Sequence, residues 1–489
     1  MVHRAVFIVA LYSIIATAVL CARSDAAPRG DGQLTIEVVD SATGKPIAAR
    51  MHLKNSRGRP VRLRLPNTAE FGGHFYIDGQ LALPLRIGQY TFELDAGPEY
   101  RTQSGHFQFE RHADDSKRIE MNRSANLAEE GWYGGDLHVV RRAADLPLIM
   151  RAESLRVVPV DGERSPVEAP LASQLLLFNS QRSLNTKQKN VGRSSLKLIE
   201  EARAADARIV ASIPYAWDMP VWLASGQLDA ICLINHHTLR DGVVDNEKDG
   251  RPRDRSLFPG RTGNGRWAES VYYHILNCGL RIAPAAGSGS GMNDNPVGIN
   301  RVYVYCGEEF SDEAWWEGLE AGRVFVSNGP LLRPMVEGHP PGHVFRLDEG
   351  ETLTLEIALE LATRVPVEYL QIVKNGLVEN EARLADWAKQ KGRLPSLQFG
   401  DSGWFLIRAV TTNQKTYQFA SSGPYHVEKG GQRRVSRRSA QFFLDWIDAA
   451  EARVREMPDL DAQARQAMLA EQESARRYFE ELLAAANAE

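Results

Sequence analysis

Leu34, Ile36 and Val38 alternate with Thr35 and Glu37, the two-residue period of a half-buried strand. Thr43-Gly44-Lys45-Pro46 follows as turn chemistry. Apolar stretches at 88–94 and 105–109, separated by Gly97-Pro98-Glu99-Tyr100, continue the pattern, so residues 33–123 read as a small β-sandwich. From 131 to 334 the rhythm changes. Strand candidates at 136–140, 208–213, 230–234 and 300–305 are interspersed with helix candidates at 194–205, 267–276 and 312–322. That alternation predicts parallel pairing in an α/β barrel or sheet. Residues 343–430 return to strand patterning: Leu353, Leu355, Ile357 and Leu359 alternate with Thr354, Glu356 and Ala358, and 404–410 follows suit. A helical insert is expected at 379–391, within a second β-sandwich. The tail, 436–489, is helical: Phe443, Trp446, Ile447, Ala450 and Val454 share one face. Pro458 breaks this run and Asp459 is placed to cap a second helix, giving a helical hairpin. The aromatic stripe reads as core packed on the body, with a partner-binding helix as the competing reading.

The N-terminus carries its own message. A short positive start is followed by an apolar run over 5–22, interrupted only by Ser13 and Thr17. Ser24-Asp25-Ala26 then offers small residues for cleavage. This is the layout of a secretory signal over 1–26, implying a periplasmic or extracellular protein. An uncleaved anchor is the alternative, because the run approaches the length of a membrane span. Leu20 stands where a lipobox requires a small residue, which argues against lipidation at Cys21. Cys232, Cys278 and Cys306 remain, an odd number without metal-knuckle spacing, and read as free buried thiols.

Composition narrows the function classes. A chain of 489 residues predicts two to four domains. Lys and Arg number 58 against 62 Asp and Glu, a formal charge of −4 that leaves no basic footprint for nucleic acid. The only basic run, Arg433, Arg434, Arg437 and Arg438, reads as a solvated helix start. No membrane contact is expected beyond the signal segment, and the oligomeric state is left open.

The sharpest motif is Gly131-Trp132-Tyr133-Gly134-Gly135-Asp136-Leu137-His138-Val139-Val140. It resembles the opening strand of PHP-like metallohydrolases of the CehA/McbA family, which typically carries Gly-Asp-Leu-His-x-His. Histidines two apart on a strand share a face and can ligate one metal. Further stretches are similar to the same family: 216–223, Asn235-His236-His237, 272–281, 284–291 with 295–298, 327–334, 402–405 and 420–424. The resemblance implies a PHP-like α/β barrel flanked by small β-sandwiches and closed by the helical hairpin. It also implies a divalent metal, zinc or manganese, on an incomplete ligand set drawn from Asp136, His138, Asp218 and one of His236 and His237. Adjacent histidines on a strand face opposite ways, and His237 fits the family pattern better.

The departures from the family are equally specific. Val140 stands at the second histidine position and cannot ligate. The run 287–291, Gly-Ser-Gly-Ser-Gly, occupies the place of a histidine-bearing segment, and 155–160 lacks the family's Thr-Asp-His. The glycine run has neither nucleophile-elbow nor phosphate-loop spacing, so a flexible loop over the cleft is expected. Asn293 and Asp294 beside it read as turn residues. Trp217, Trp222, Trp315 and Trp316 either line a carbohydrate cleft or pack in the core. Two functions follow. One is an exported hydrolase that cleaves an ester, amide or phosphoester with metal-activated water. The other is a non-catalytic binding protein that reuses the cleft for a glycan or another small molecule.

Overall fold

The computed structural model describes residues 31–63, 65, 68–111, 113–159, 174–178, 194–248, 250–458 and 460–489. The signal segment and Asp459 lie outside the described residues. Among those described, no helix is long and apolar enough to cross a membrane.

The N-terminal module is one eight-stranded sheet in which the first strand, Gly32–Asp40, pairs antiparallel with Gln80–Leu85 and parallel with Asp114–Met121. Leu34, Ile36 and Val38 enter a single core with Met51, Leu53, Ile77 and Leu94. The period-two pattern thus becomes one buried face. Asp40 fixes the turn that follows, its Oδ1 accepting from the backbone N–H groups of Ala42 and Thr43 at 3.0 and 2.8 Å.

The middle of the chain is mixed α/β. Its helices are α1 (Leu146–Ala152), α2 (Ser195–Arg203), α3 (Met219–Ser225), α4 (Gly263–Asn277) and α5 (Asp312–Glu320). Ser194 caps α2 by accepting from Lys197 N at 3.0 Å, and Ser311 caps α5 in the same way. Strands Arg208–Ala211, Ala230–Ile234 and Ala283–Ala286 run parallel, with Leu175–Phe178 antiparallel at one edge. The remaining central strands belong to a second sheet. There Trp132–Gly135 pairs parallel with Leu155–Val157 but antiparallel with Arg301–Tyr305. Among the described residues, therefore, the strands belong to two sheets, linked by a parallel bridge between Val139 and Ser290, and they do not form one parallel ring. The expected strand at 136–140 is displaced: the regular strand ends at Gly135, because side-chain capture by Asp136 takes over beyond it.

The second sheet does not stop at the expected boundary near 334. Val324–Ser327 pairs with Phe419–Ser422, so ten strands run from the α/β region into the C-terminal β-region. A separate three-stranded sheet joins Leu331–Val336, Leu353–Ala362 and Arg393–Phe399. The helical insert is shorter than expected: α6 spans Leu384–Lys389, while Leu377–Arg383 is a hairpin strand paired with Val367–Lys374.

The tail forms the expected hairpin of α7 (Arg437–Glu456) and α8 (Ala462–Ala484), capped by Ser436 and Asp461. Phe443, Trp446, Ile447 and Phe479 share one core with Trp222 and Trp267 of the α/β region. The aromatic stripe is thus covered by the chain's own body.

Candidate functional site

Three backbone segments converge around Asp136 and His138. The first, Asp136 to Val140, leaves the strand end at Gly135. The second, Asn235-His236-His237, follows strand Ala230–Ile234, and the third is the glycine–serine run after Ala283–Ala286. They are stitched together: Leu137 N donates to Ala286 O at 3.1 Å, Gly289 N to His138 O at 2.8 Å and Val140 N to Ser290 O at 2.8 Å. The run 287–291 is therefore not a flexible loop over a cleft. Ser288 and Ser290 are buried, and a Cβ at Gly287 would run into His138 Cβ. Glycine is required there by close approach, not by mobility.

Asp136 is fully buried and serves as a hub. Its Oδ1 accepts from His138 N at 3.2 Å and Ser288 N at 2.9 Å, and its Oδ2 accepts from Gly298 N at 2.7 Å. Burial pushes its carboxyl up to about 6, with the hydrogen bonds pulling the other way. His138 is 7 % exposed and meets His236 edge-on, ring centroids 5.4 Å apart. His236 and His237 follow the strand rather than lying in it, so their rings do not point apart: the centroids are 4.4 Å from each other. His236 is thus the imidazole that touches His138. His237 is anchored through Nδ1, 3.0 Å from the Tyr215 hydroxyl, which itself donates to Asn264 Oδ1 at 3.1 Å. Burial lowers His138 and His236 to about 3 and His237 to about 4, so all three are neutral near pH 7.

Asp218 stands elsewhere. It precedes α3 and accepts from Ser195 Oγ at 2.7 Å, and that same oxygen accepts from Trp222 Nε1 at 2.9 Å. Burial raises its pKa against the pull of Ser195 and of Arg453 on α7. The structure therefore groups His138, His236 and His237, and leaves Asp218 with the helical hairpin. Among the described residues no three His, Cys, Asp or Glu side chains are gathered to hold one metal ion. Val140 is 36 % exposed. Trp222, Trp315 and Trp316 are core residues, and Trp217 lies under Arg453, 5.3 Å from ring to guanidinium.

The polar atoms that complete this cluster carry no local sequence signature. Among the described residues, His138 Nδ1, His236 Nδ1, Ser290 Oγ and Asn300 Oδ1 are all buried without a hydrogen-bond partner. Asn300 belongs to the same cluster, since its Nδ2 donates to Asn235 O at 3.0 Å and Gly287 O at 3.2 Å. Asn300 is isolated in sequence, and no local pattern marked it. Buried polar atoms are nearly always paired. Four unpaired ones on adjoining segments are open to a buried water or a small ligand.

Comparison with known proteins adds little. No family model matches the chain, and no curated protein matches it. Two solved structures of a β-glucuronidase from Parabacteroides merdae, the second with glycerol in its active site, align with 79% of this chain. Identity is 12% and 11%, and the TM-score is 0.16 in both cases. The alignments span 62% and 60% of those chains, about three fifths of their length, and a superposition this loose carries no argument.

Proposed function

We propose that this chain is an exported, non-catalytic ligand-binding protein built on a PHP-like α/β domain related to the CehA/McbA metallohydrolases. The observation that carries the reading is the engagement of Asp136, whose two oxygens already accept three backbone N–H groups. A hydrolytic centre needs roughly three protein ligands and an open position for water. Asp136 is taken up in holding the fold, Asp218 belongs to another cluster, and Val140 offers no donor. The donor set does not fit such a centre, and no metal-activated step is derived from it. What remains is a buried cluster of neutral imidazoles with a hydroxyl and an amide oxygen, whose unpartnered atoms suit a small molecule that donates hydrogen bonds.

One observation favours a second reading. The unpartnered Nδ1 atoms of His138 and His236 are the kind of neutral nitrogen that a transition metal takes. Metal content, measured by mass spectrometry on protein purified without chelators beside a His138→Ala control, separates the two. Absence of metal in both samples is the outcome expected of the binding protein. Close to one metal per chain, lost in the control, would transfer the argument to a one-metal hydrolase.

A further inference from the structure

A cleft of about 350 Å³ opens where the N-terminal sheet, the α/β region and the C-terminal β-region meet. Its volume falls within the roughly 300–1,000 Å³ of small-molecule sites. Arg50 and Asp95 come from the first of these, Glu153 and Arg301 from the second, and Arg364 from the third. Arg50 pairs with Asp95 at 2.9 Å and with Glu153 at 2.6 Å. Arg364 reaches Asp95 from the far side at 2.7 Å, and Arg301 Nη1 donates to Glu153 O at 2.9 Å. At the rim Arg240 pairs with Glu93.

We propose that this cleft binds a small neutral polyhydroxylated molecule, a monosaccharide or cyclic polyol, through hydroxyl contacts at the junction of the three regions. The cleft carries four guanidinium groups and four carboxylates, and they neutralise each other. An anion would have to pull an arginine away from its carboxylate, and unpairing a buried ion is strongly destabilising. A hydroxyl group demands no such exchange. It donates to a spare carboxylate lone pair and accepts from a spare guanidinium N–H while the pairs stay intact.

One buried atom on the wall is open to such a group: Thr416 is 2 % exposed, and among the described residues its Oγ1 has no hydrogen-bond partner. Asp95 Oδ1 is ion-paired with Arg364 at 2.7 Å, and a carboxylate oxygen so paired keeps a lone pair for a donated hydroxyl. Among the described residues no aromatic ring lines the cleft, so recognition is by hydrogen bonds and suits a single ring rather than a stacked glycan chain. The cleft shares no lining residue with the histidine cluster, and the two are joined through Gly298, whose N–H donates to Asp136 Oδ2 at 2.7 Å.

Calorimetric titration of the full chain tests this, using glucose, galactose, mannose and myo-inositol as neutral probes and gluconate and glucose 6-phosphate as anionic counterparts. At least one neutral probe is expected to bind at one per chain, and more tightly than either anion. Thr416→Val removes only an unpartnered hydroxyl, so its melting temperature should hold or rise while binding weakens about tenfold. Failure of every neutral probe at millimolar concentration would overturn the proposal. So would tighter binding of an anion, or a folded Thr416→Val chain that binds like its parent.

Discussion

Asp136 Oδ2 accepts a hydrogen bond from the backbone N–H of Gly298, 162 positions away in sequence, at 2.7 Å. Gly298 lines the cleft where the three regions meet, and its carbonyl accepts from Arg301 Nε at 2.5 Å. One buried carboxylate therefore joins the histidine cluster to the wall of the neighbouring cleft. Asp136 here works on the backbone, accepting from His138, Ser288 and Gly298.

That role sets the cost of removing it. Asp136→Ala leaves the N–H groups of His138, Ser288 and Gly298 buried without an acceptor, at roughly 1–3 kcal/mol for each group that cannot relax. A loss of about 3–5 kcal/mol is expected, read as a lower urea midpoint at unchanged slope. Asp136→Asn keeps acceptor capacity on one oxygen and should lose less. If the alanine variant unfolds at the parent midpoint, the hub carries no stability and its engagement no longer argues against a ligand role.

The glycine–serine run makes a second claim that stability measurements can check. A methyl at position 287 meets the Cβ and backbone of His138, which has nowhere to retreat because Gly289 N holds its carbonyl. Gly287→Ala should cost about 1–3 kcal/mol by overpacking. Gly260 has open space around its missing Cβ but a positive φ of 69°, so Gly260→Ala measures backbone strain alone. If 287 tolerates alanine better than 260, close approach is not the reason for its glycine.

How much of this was legible depends on the range over which each feature is fixed. The α7–α8 hairpin followed from Phe443, Trp446, Ile447, Ala450 and Val454, because a 3.6-residue period is a local property of the chain. The strand at 32–40 was readable for the same reason. The run 136–140 was not, since its course is set by Ser288, Gly298 and Ser290, which arrive from the other side of the domain. The insert over 379–391 carried helical patterning, yet Leu377–Arg383 pairs with Val367–Lys374, a tertiary override of local preference. The joining of Val324–Ser327 to Phe419–Ser422 leaves no local trace, and the expected boundary between two separate domains rested on the absence of one. In the site, His138 and the two histidines at 236 and 237 were visible as residue types. Their grouping, with His236 nearest His138 and Asp218 outside, depends on where strand Ala230–Ile234 stops.

The hairpin also gives the fold a defined response to acid. His274 on α4 stacks on Phe442 of α7, with centroids 4.0 Å apart and planes at 10°, and its Nδ1 lies 3.0 Å from Ser439 Oγ. Burial, with Arg438 and Arg251 adding to it, lowers its pKa from 6.5 to about 4. The folded state thus binds fewer protons than the unfolded chain between those values, and stability is lost as pH falls from about 6.5 toward 4. His274→Phe keeps the stack without the titration, so its stability should fall less steeply over this window. Equal slopes for the two chains in denaturation series at pH 6.5, 5.5 and 4.5 would show that this imidazole does not titrate against the fold.

The last prediction concerns the position that most separates this chain from its resemblance. Val140 is a third exposed, two residues beyond His138, and its backbone N–H is held by Ser290 O at 2.8 Å. An imidazole there has room at the rim, and the backbone bond does not depend on the side chain. Val140→His adds a nitrogen donor to the unpartnered Nδ1 atoms of His138 and His236. Because both existing imidazoles are neutral near pH 7, no proton has to leave before an ion is taken up. Zinc affinity should rise by about tenfold or more in calorimetric titration, and the gain should vanish when His138→Ala is combined with it. An unchanged affinity in the single variant would mean that the three nitrogens do not converge, and that the resemblance at 131–140 does not extend to a metal site.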